Sequence, residues 1–441
     1  MMTSQNTTTG PATSRLGTRT SGLSAPRLFR RITGARRRAL GAAALACATG
    51  VAMLVQPTAV AAGAGSTAGS GQAGEASFGS CTHGQGSGQG SGQGSGRGSS
   101  DLQPTATADS YLTEAFRAFG NSGGGWADRG GWAASDGVYS AELPGHRIVW
   151  LMNDTFLGPV NADESMTNPG FIHGSILPAH HDGVPYTTIT GGTQDAPESI
   201  ASPPDAVDGD PWYWNADGIV DGGKLRVFQG RIGQTDGPPP WNFGWLGSDI
   251  VTYSKDFTVE KITHTYGEPG GVNWGNELVR CGGYIYIYGE QDSAMHVARA
   301  RVGHLIDKDW QFYTGDGWSD DPDSSVAITP DLGASYSVTP MNGRFVLTTT
   351  SAAIFTDHQI YVASAPTPYG PFSDRTAVYT APEGGQGNLY APYNVAAHPE
   401  ISKPGELIIS YNVNSGNGDD LLANANNNRP RFVTIRFGSR H

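Results

Sequence analysis

The sequence predicts an all-β fold, a five-bladed β-propeller, and three observations carry that reading. Glycine (63 residues) and proline (28) are abundant, while charged residues make up only 15% of the 441 positions, too few for the solvated faces of long surface helices. Five runs share one pattern: a polar residue, a short strand-like stretch, a turn carrying Gly, then an alternating apolar strand. They start at Asp136, Asp217, Glu277, Ser337 and Tyr393, spaced 81, 60, 60 and 56 residues apart, which suits a four-stranded blade with decorated loops. The chain also finishes in a strand-like run, 431–437 (RFVTIRF), expected to pair with the first blade and remove the exposed edge. A β-sandwich also yields regular hairpins and is the competing arrangement.

Residues 1–38 hold eight Arg and no acidic residue, and 39–55 are an uncharged apolar stretch followed by Ala59-Val60-Ala61. This reads as a secretory signal over 1–61, exported by the Sec or the twin-arginine route. The apolar stretch is short of the roughly 20 residues a bilayer span needs, so no membrane span is expected after processing. Removing those eight arginines takes the net charge from −12 to −20. An acidic chain lacks the basic face that nucleic acid or anionic membrane requires.

Residues 62–109 read as a disordered linker, since the Gly/Ser/Gln run has nothing apolar to bury. The linker carries Cys81, and the only other cysteine beyond the leader is Cys281. The two could pair in an oxidising compartment, or Cys281 could be a free buried thiol. The propeller is assigned to 110–441. Its turns are placed at Pro144-Gly145, Gly222-Gly223, Gly282-Gly283, Asn342-Gly343 and Pro404-Gly405. Residues 232–274, rich in Pro and Trp, are read as a long functional loop rather than blade core.

The first strand of each propeller blade lines the central axis. Asp136, Asp217 and Glu277 head the first three repeats, and each repeat has its own turn Gly further on. The three acids are therefore candidate catalytic groups: carboxylates crowded at one axis raise one another's pKa, which separates an acid from a base. The competing reading makes each Asp-Gly a structural turn. Asp154 is a second candidate, for substrate binding, with an Asx cap as its alternative. Glu290 and Asp292 hold a similar position in the third repeat and are read as a solvated loop.

Five Trp fall between 212 and 274, and an indole stacks well on the apolar face of a sugar. Trp214, Trp241, Trp245 and Trp274 are candidate platforms beside the acids, and Tyr393 and Asn394 join them at the head of the fifth repeat. Trp150 is expected in the core. His173, His180 and His181 lack helical i, i+4 spacing and a Cys partner, so they are read as loop histidines. No metal site and no cofactor are expected, and the chain is expected to act as a monomer on a polysaccharide or oligosaccharide.

Several segments together resemble the secreted propellers of actinobacteria and Bacteroides grouped as domain-of-unknown-function families 4185 and 5005. They are the Gly-Gly-Trp and Asp-Gly of 130–137, Asn153-Asp154-Thr155-Phe156, 367–372 (TPYGPF), His398-Pro399-Glu400 and 408–414 (IISYNVN). The resemblance covers about 110–440. Family 4185 includes endo-D-arabinanases, which implies a cell-wall arabinan as a substrate. The repeat is similar to glycoside hydrolase family 43 as well. By position, that likeness implies Asp136 as base or nucleophile, Asp217 as the tuning carboxylate and Glu277 as general acid, although Gly137, Gly218 and Leu278 depart from that family's flanking prolines. The expectation is thus an exported glycoside hydrolase working by paired carboxylates; a non-catalytic carbohydrate-binding propeller is the alternative.

Overall fold

Alternation along single strands explains how the sheets stack. In the strand Tyr284–Gln291, Ile285 and Ile287 bury one face against Phe228, Ile250 and Leu278. Tyr286 and Tyr288 bury the other against Val338 and Leu347. A strand apolar on both faces belongs between two neighbours, and each aliphatic chain so buried contributes about 1.5–3 kcal/mol. The computed structural model describes Cys81 and residues 103–126, 130–237 and 242–438, so the signal assignment and nearly all of the linker lie outside the described residues.

Seven antiparallel sheets lie among the described residues, and five of them form a series. The first is Tyr139–Leu143, Arg147–Met152 and Ser175–Ala179, flanked by a small sheet of Trp132–Ser135, Thr155–Leu157 and Gly170–Ile172. The second is Trp212–Asp221, Lys224–Gln234, Phe243–Tyr253 and Val259–His264. Asn273–Cys281, Tyr284–Gln291, Ala294–Arg301 and two short strands make the third. The fourth is Tyr336–Met341, Arg344–Thr349, Gln359–Ala365 and Thr376–Thr380, and the fifth Leu389–Ala397, Glu406–Ser415, Pro430–Gly438 and Gln103–Ala108.

The first strands of the five sheets touch in succession. The fifth returns to the first through Ser140 Oγ, 2.6 Å from His398 Nδ1. Separate apolar cores fill the spaces between first and second, second and third, third and fourth, and fourth and fifth sheets. The helix Ser110–Asn121, capped by Asp109, sets Leu112, Phe116 and Phe119 with Trp150 and Phe432 between the first and fifth. Two sheets in a sandwich would share a single core.

The turns Gly222-Gly223, Gly282-Gly283 and Asn342-Gly343 have positive φ at both residues, the mirror-image turn that matches strand twist. Pro404-Gly405 instead ends a longer loop containing a 3₁₀ turn, Pro399–Ile401. Two further expectations are corrected. The terminal strand pairs within the fifth sheet, and Gln103–Ala108, which composition put in the linker, is its outer partner, with Gln103 opposite Gly438 and Ala108 opposite Val433. That edge strand is fixed by backbone pairing rather than by apolar side chains, so composition does not reveal it. Most of 232–274 is likewise sheet: Phe243–Tyr253 and Val259–His264 complete the second sheet, their backbone paired despite the Trp-rich context.

Cys81 and Cys281 form a disulfide. Cys281 is fully buried at the turn end of its strand, away from Asn273 and Asn276 at the other end. Among the described residues no helix is long and apolar enough to cross a membrane.

Candidate active site

Three of the first strands pair irregularly. Register shifts lie between Asn215 and Gly218, between Trp274 and Glu277, and on either side of Tyr393. Such bulges re-aim side chains and favour functional rims. Above them lies a cavity of about 200 Å³, lined among others by Asp136, Asn153, Trp214, Phe243, Trp245, Glu290, Ser335, Tyr393 and Asn394.

The floor is a hydrogen-bonded chain spanning three sheets. Tyr139 Oη lies 2.8 Å from Ser335 Oγ, which donates to Asn394 Oδ1 at 3.3 Å. Tyr393 donates its hydroxyl to Asp136 Oδ2 at 2.7 Å and accepts from Asn414 Nδ2 at 2.8 Å. Burial pushes the Asp136 carboxyl up to about 7, against the pull of Tyr393, its own and the Asp154 backbone N–H, and nearby His173. Burial also raises the Glu290 carboxyl, opposed by the Ser293 N–H and helped by Asp292. Two carboxyls on the cavity wall thus hold protons more firmly than in water.

The predicted acids part company here. Asp136 reaches the wall, whereas Asp217 and Glu277 are buried and do not line the cavity. Asp217 accepts the backbone N–H of Gly218 at 2.7 Å and of Leu278 at 2.8 Å, tying the second sheet to the third at their bulges. The three acids still act on one side chain. Burial raises the Tyr139 hydroxyl to about 12, and Asp217, Asp136 and Glu277 add to the rise against Ser335.

Of the predicted aromatics, Trp214 and Trp245 line the cavity, joined by Phe243, 5.4 Å from Trp214 and edge-on to it. Trp274 does not line it: only 3% exposed, it packs on Phe312 and Trp310 in the third sheet's core, because the bulge after it turns it inward. Trp241 lies outside the described residues. Trp150 is core, as expected. Tyr393 and Asn394 are on the wall. Asp154 stands behind it, where Oδ1 accepts from Trp214 Nε1 at 2.8 Å and lies 2.7 Å from His173 Nδ1; it positions Trp214 rather than facing the void.

Glu290 and Asp292, read as a solvated loop, are wall residues. Asn153 and Glu290 come at the ends of second strands, the repeat position shared with Asp154, and that position is the signal by which they could be found. Among the described residues no group of three His, Cys, Asp or Glu could hold a metal ion.

A family model described as Domain of unknown function (DUF5005) matches residues 126–437, and the chain belongs to that family. A solved structure from Bacteroides ovatus ATCC 8483, described provisionally as a hydrolase, superposes with a TM-score of 0.59 at 21% identity over 75% of this chain and 90% of that one. That likeness is one of fold. Looser superpositions include the glycoside hydrolase family 43 protein BlXynB of Bacillus licheniformis, with a TM-score of 0.39 at 13% identity over 64% of this chain and 49% of that one. Another is an alpha-L-arabinofuranosidase of Clostridium thermocellum ATCC 27405, at 0.39 and 10% identity over 63% and 82%. No curated protein matches the chain.

Proposed function

We propose that the five sheets are the blades of a propeller and that the protein is an exported glycoside hydrolase. The observation that carries the reaction is a cavity whose wall sets Asp136, raised to about 7, with a second raised carboxyl at Glu290 and the aromatic faces of Trp214, Phe243 and Trp245. Glycosidic cleavage needs one carboxylic acid to protonate the leaving oxygen and one carboxylate to act as base or nucleophile. Asp136, enclosed by the floor and bonded to Tyr393, keeps its proton in a sizeable share of molecules near neutral pH, so it serves as general acid. Glu290 serves as the partner carboxylate. This reverses the role that resemblance implies for Asp136 and moves the third-sheet acid from Glu277 to Glu290, while Asp217 ties the second sheet to the third.

Export is supported by the basic, then apolar, leader and by a disulfide suited to an oxidising compartment. A polysaccharide such as arabinan supplies the substrate, and the hydrolase description of the Bacteroides ovatus structure agrees with the reaction class. One observation favours the non-catalytic, carbohydrate-binding reading instead: two of the three repeat-equivalent acids are turned away from the void. The test is sugar release from arabinan, xylan and galactan. Wild type cleaves one of them, Asp136→Asn and Glu290→Gln lose most of the rate, and Glu277→Gln keeps it if it folds. Cleavage that survives Glu290→Gln and dies with Glu277→Gln would overturn the assignment. Saturable binding without release would favour the binding protein.

A further inference from the structure

The cavity wall is one-sided in charge. Among the described residues Asp136, Glu290 and Asp292 line it, and no Lys, Arg or His does. Asp136 accepts from Tyr393 and Glu290 from the Ser293 N–H, whereas Asp292 is an exposed residue at the rim. The backbone shows why it stands there. Gln291 pairs with Ala294, so Asp292 and Ser293 form a two-residue hairpin turn, and both have positive φ, 52° and 59°. Three other hairpins place Gly-Gly or Asn-Gly in this left-handed turn, since a side chain at Ser293 costs free energy that Gly avoids. The turn is tied down from both sides: Ser293 N–H donates to Glu290, and the Leu332 N–H donates to the Ser293 carbonyl at 2.9 Å. A strained backbone held in place at the edge of a cavity points to a functional placement, and what this one places is a carboxylate.

Resting on the glycoside reading above, we propose that Asp292 is a specificity-determining residue, a charge filter that admits uncharged glycans and turns away those bearing carboxylate, sulfate or phosphate. A sugar hydroxyl donates to a carboxylate, so this wall offers a neutral ring acceptors as well as the aromatic faces of Trp214, Phe243 and Trp245. An anionic group only accepts. It gives up water and meets no cation in exchange, and like charges repel more strongly in a cavity than in bulk water. Glu290 and Asp292 already repel one another, so a third negative charge adds to a standing cost. A repulsive element of this kind separates two ligands that fill the same space. Asp136 and Glu290 are committed to the reaction, which leaves Asp292 as the wall carboxylate whose removal alters selectivity while acid and base stay in place.

The experiment is calorimetric titration of the full chain with methyl arabinofuranoside, methyl xylopyranoside and methyl galactopyranoside, each set against an anionic counterpart: the arabinofuranoside 5-phosphate, methyl glucuronoside and methyl galacturonoside. The methyl esters of the two uronates control for bulk. At least one neutral glycoside binds, and its anionic counterpart binds about tenfold or more weakly. Asp292→Asn, which keeps the shape of the side chain and suits positive φ, raises the ratio of anionic to neutral affinity about tenfold. Salt near 1 M, where the screening length falls to about 3 Å, raises that ratio in wild type too. Asp374→Asn, an equal change of charge at an exposed residue outside the wall, leaves the ratio as it is. Thermal melting checks folding, and Asp292→Gly, which the turn favours, stands in if Asp292→Asn does not fold. Anionic and neutral ligands binding equally to wild type, a ratio unmoved by Asp292→Asn, or a ratio moved as far by Asp374→Asn overturns the filter alone. Failure of every neutral and anionic glycoside to bind defeats the glycoside reading and the filter with it.

Discussion

Asp136 and Asp217 open successive repeats with the same Asp-Gly dipeptide, yet one faces a void and the other faces backbone. Asp217 is enclosed by two peptide N–H groups from two sheets, a setting that favours a fixed acceptor and fastens neighbouring bulges. Asp136 accepts from the Tyr393 hydroxyl and the Asp154 backbone, and burial still wins, raising it to about 7. The difference teaches that repeat-equivalent carboxylates are separated by what completes their hydrogen bonds. The surface of the cavity passes between the two.

The contrast breaks most visibly in catalysis. Asp136→Asn removes the proton donor and is expected to cut kcat about 10²- to 10⁴-fold, with the fold retained; a similar rate in wild type and variant would return Asp136 to the structural class. The wild-type rate should fall as pH rises through about 7, because the acid must be protonated. A rate that instead fell as pH dropped through 7 would make Asp136 the base.

Next in size is a stability effect with a defined sign. The folded-state pKa of Asp136 lies above the ordinary Asp value of 3.8, so between those values the folded state holds a proton that the unfolded chain has lost. Stability then decreases with rising pH, by about 4 kcal/mol across the window from 3.8 to about 7. Asp136→Asn should abolish that loss, melting above wild type at pH 8 and level with it at pH 4. Chemical denaturation at the two pH values measures it.

Asp217→Ala gives the mirror result. Two buried N–H groups lose their acceptor, and the expected cost is about 2–4 kcal/mol of stability; denaturation that left wild type and variant alike would show that the lower carboxylate is not a fastening. The smallest effect is a paired glycine test. Gly137→Ala forces a side chain at φ 58° into the Asn153 amide and should cost about 1–3 kcal/mol. Gly223→Ala, at φ 75° in an open turn, should cost about 1 kcal/mol.

Much of this architecture is legible in the chain itself. Period-two alternation with Gly-Gly and Asn-Gly turns marks the central hairpins of the second, third and fourth sheets, because strand pleat and mirror-image turns are local properties. Asp136, Trp214, Trp245, Tyr393 and Asn394 are likewise reached from repeat position and residue type. Gln103–Ala108 is missed because an edge strand needs no apolar signal when a partner some 330 residues away supplies its hydrogen bonds.

What the sequence determined alone is therefore the all-β character, the repeat and a set of acids and aromatics near one end of it. The tertiary structure decided which of them meet the void. A bulge of one or two residues turns Trp274 into the core and seats Asp217 on the Leu278 amide, while second-strand ends bring Asn153 and Glu290 to the wall. Those choices rest on contacts between residues from about 36 to 61 positions apart, and no local pattern encodes the hydrogen bonds that neighbouring backbone will offer.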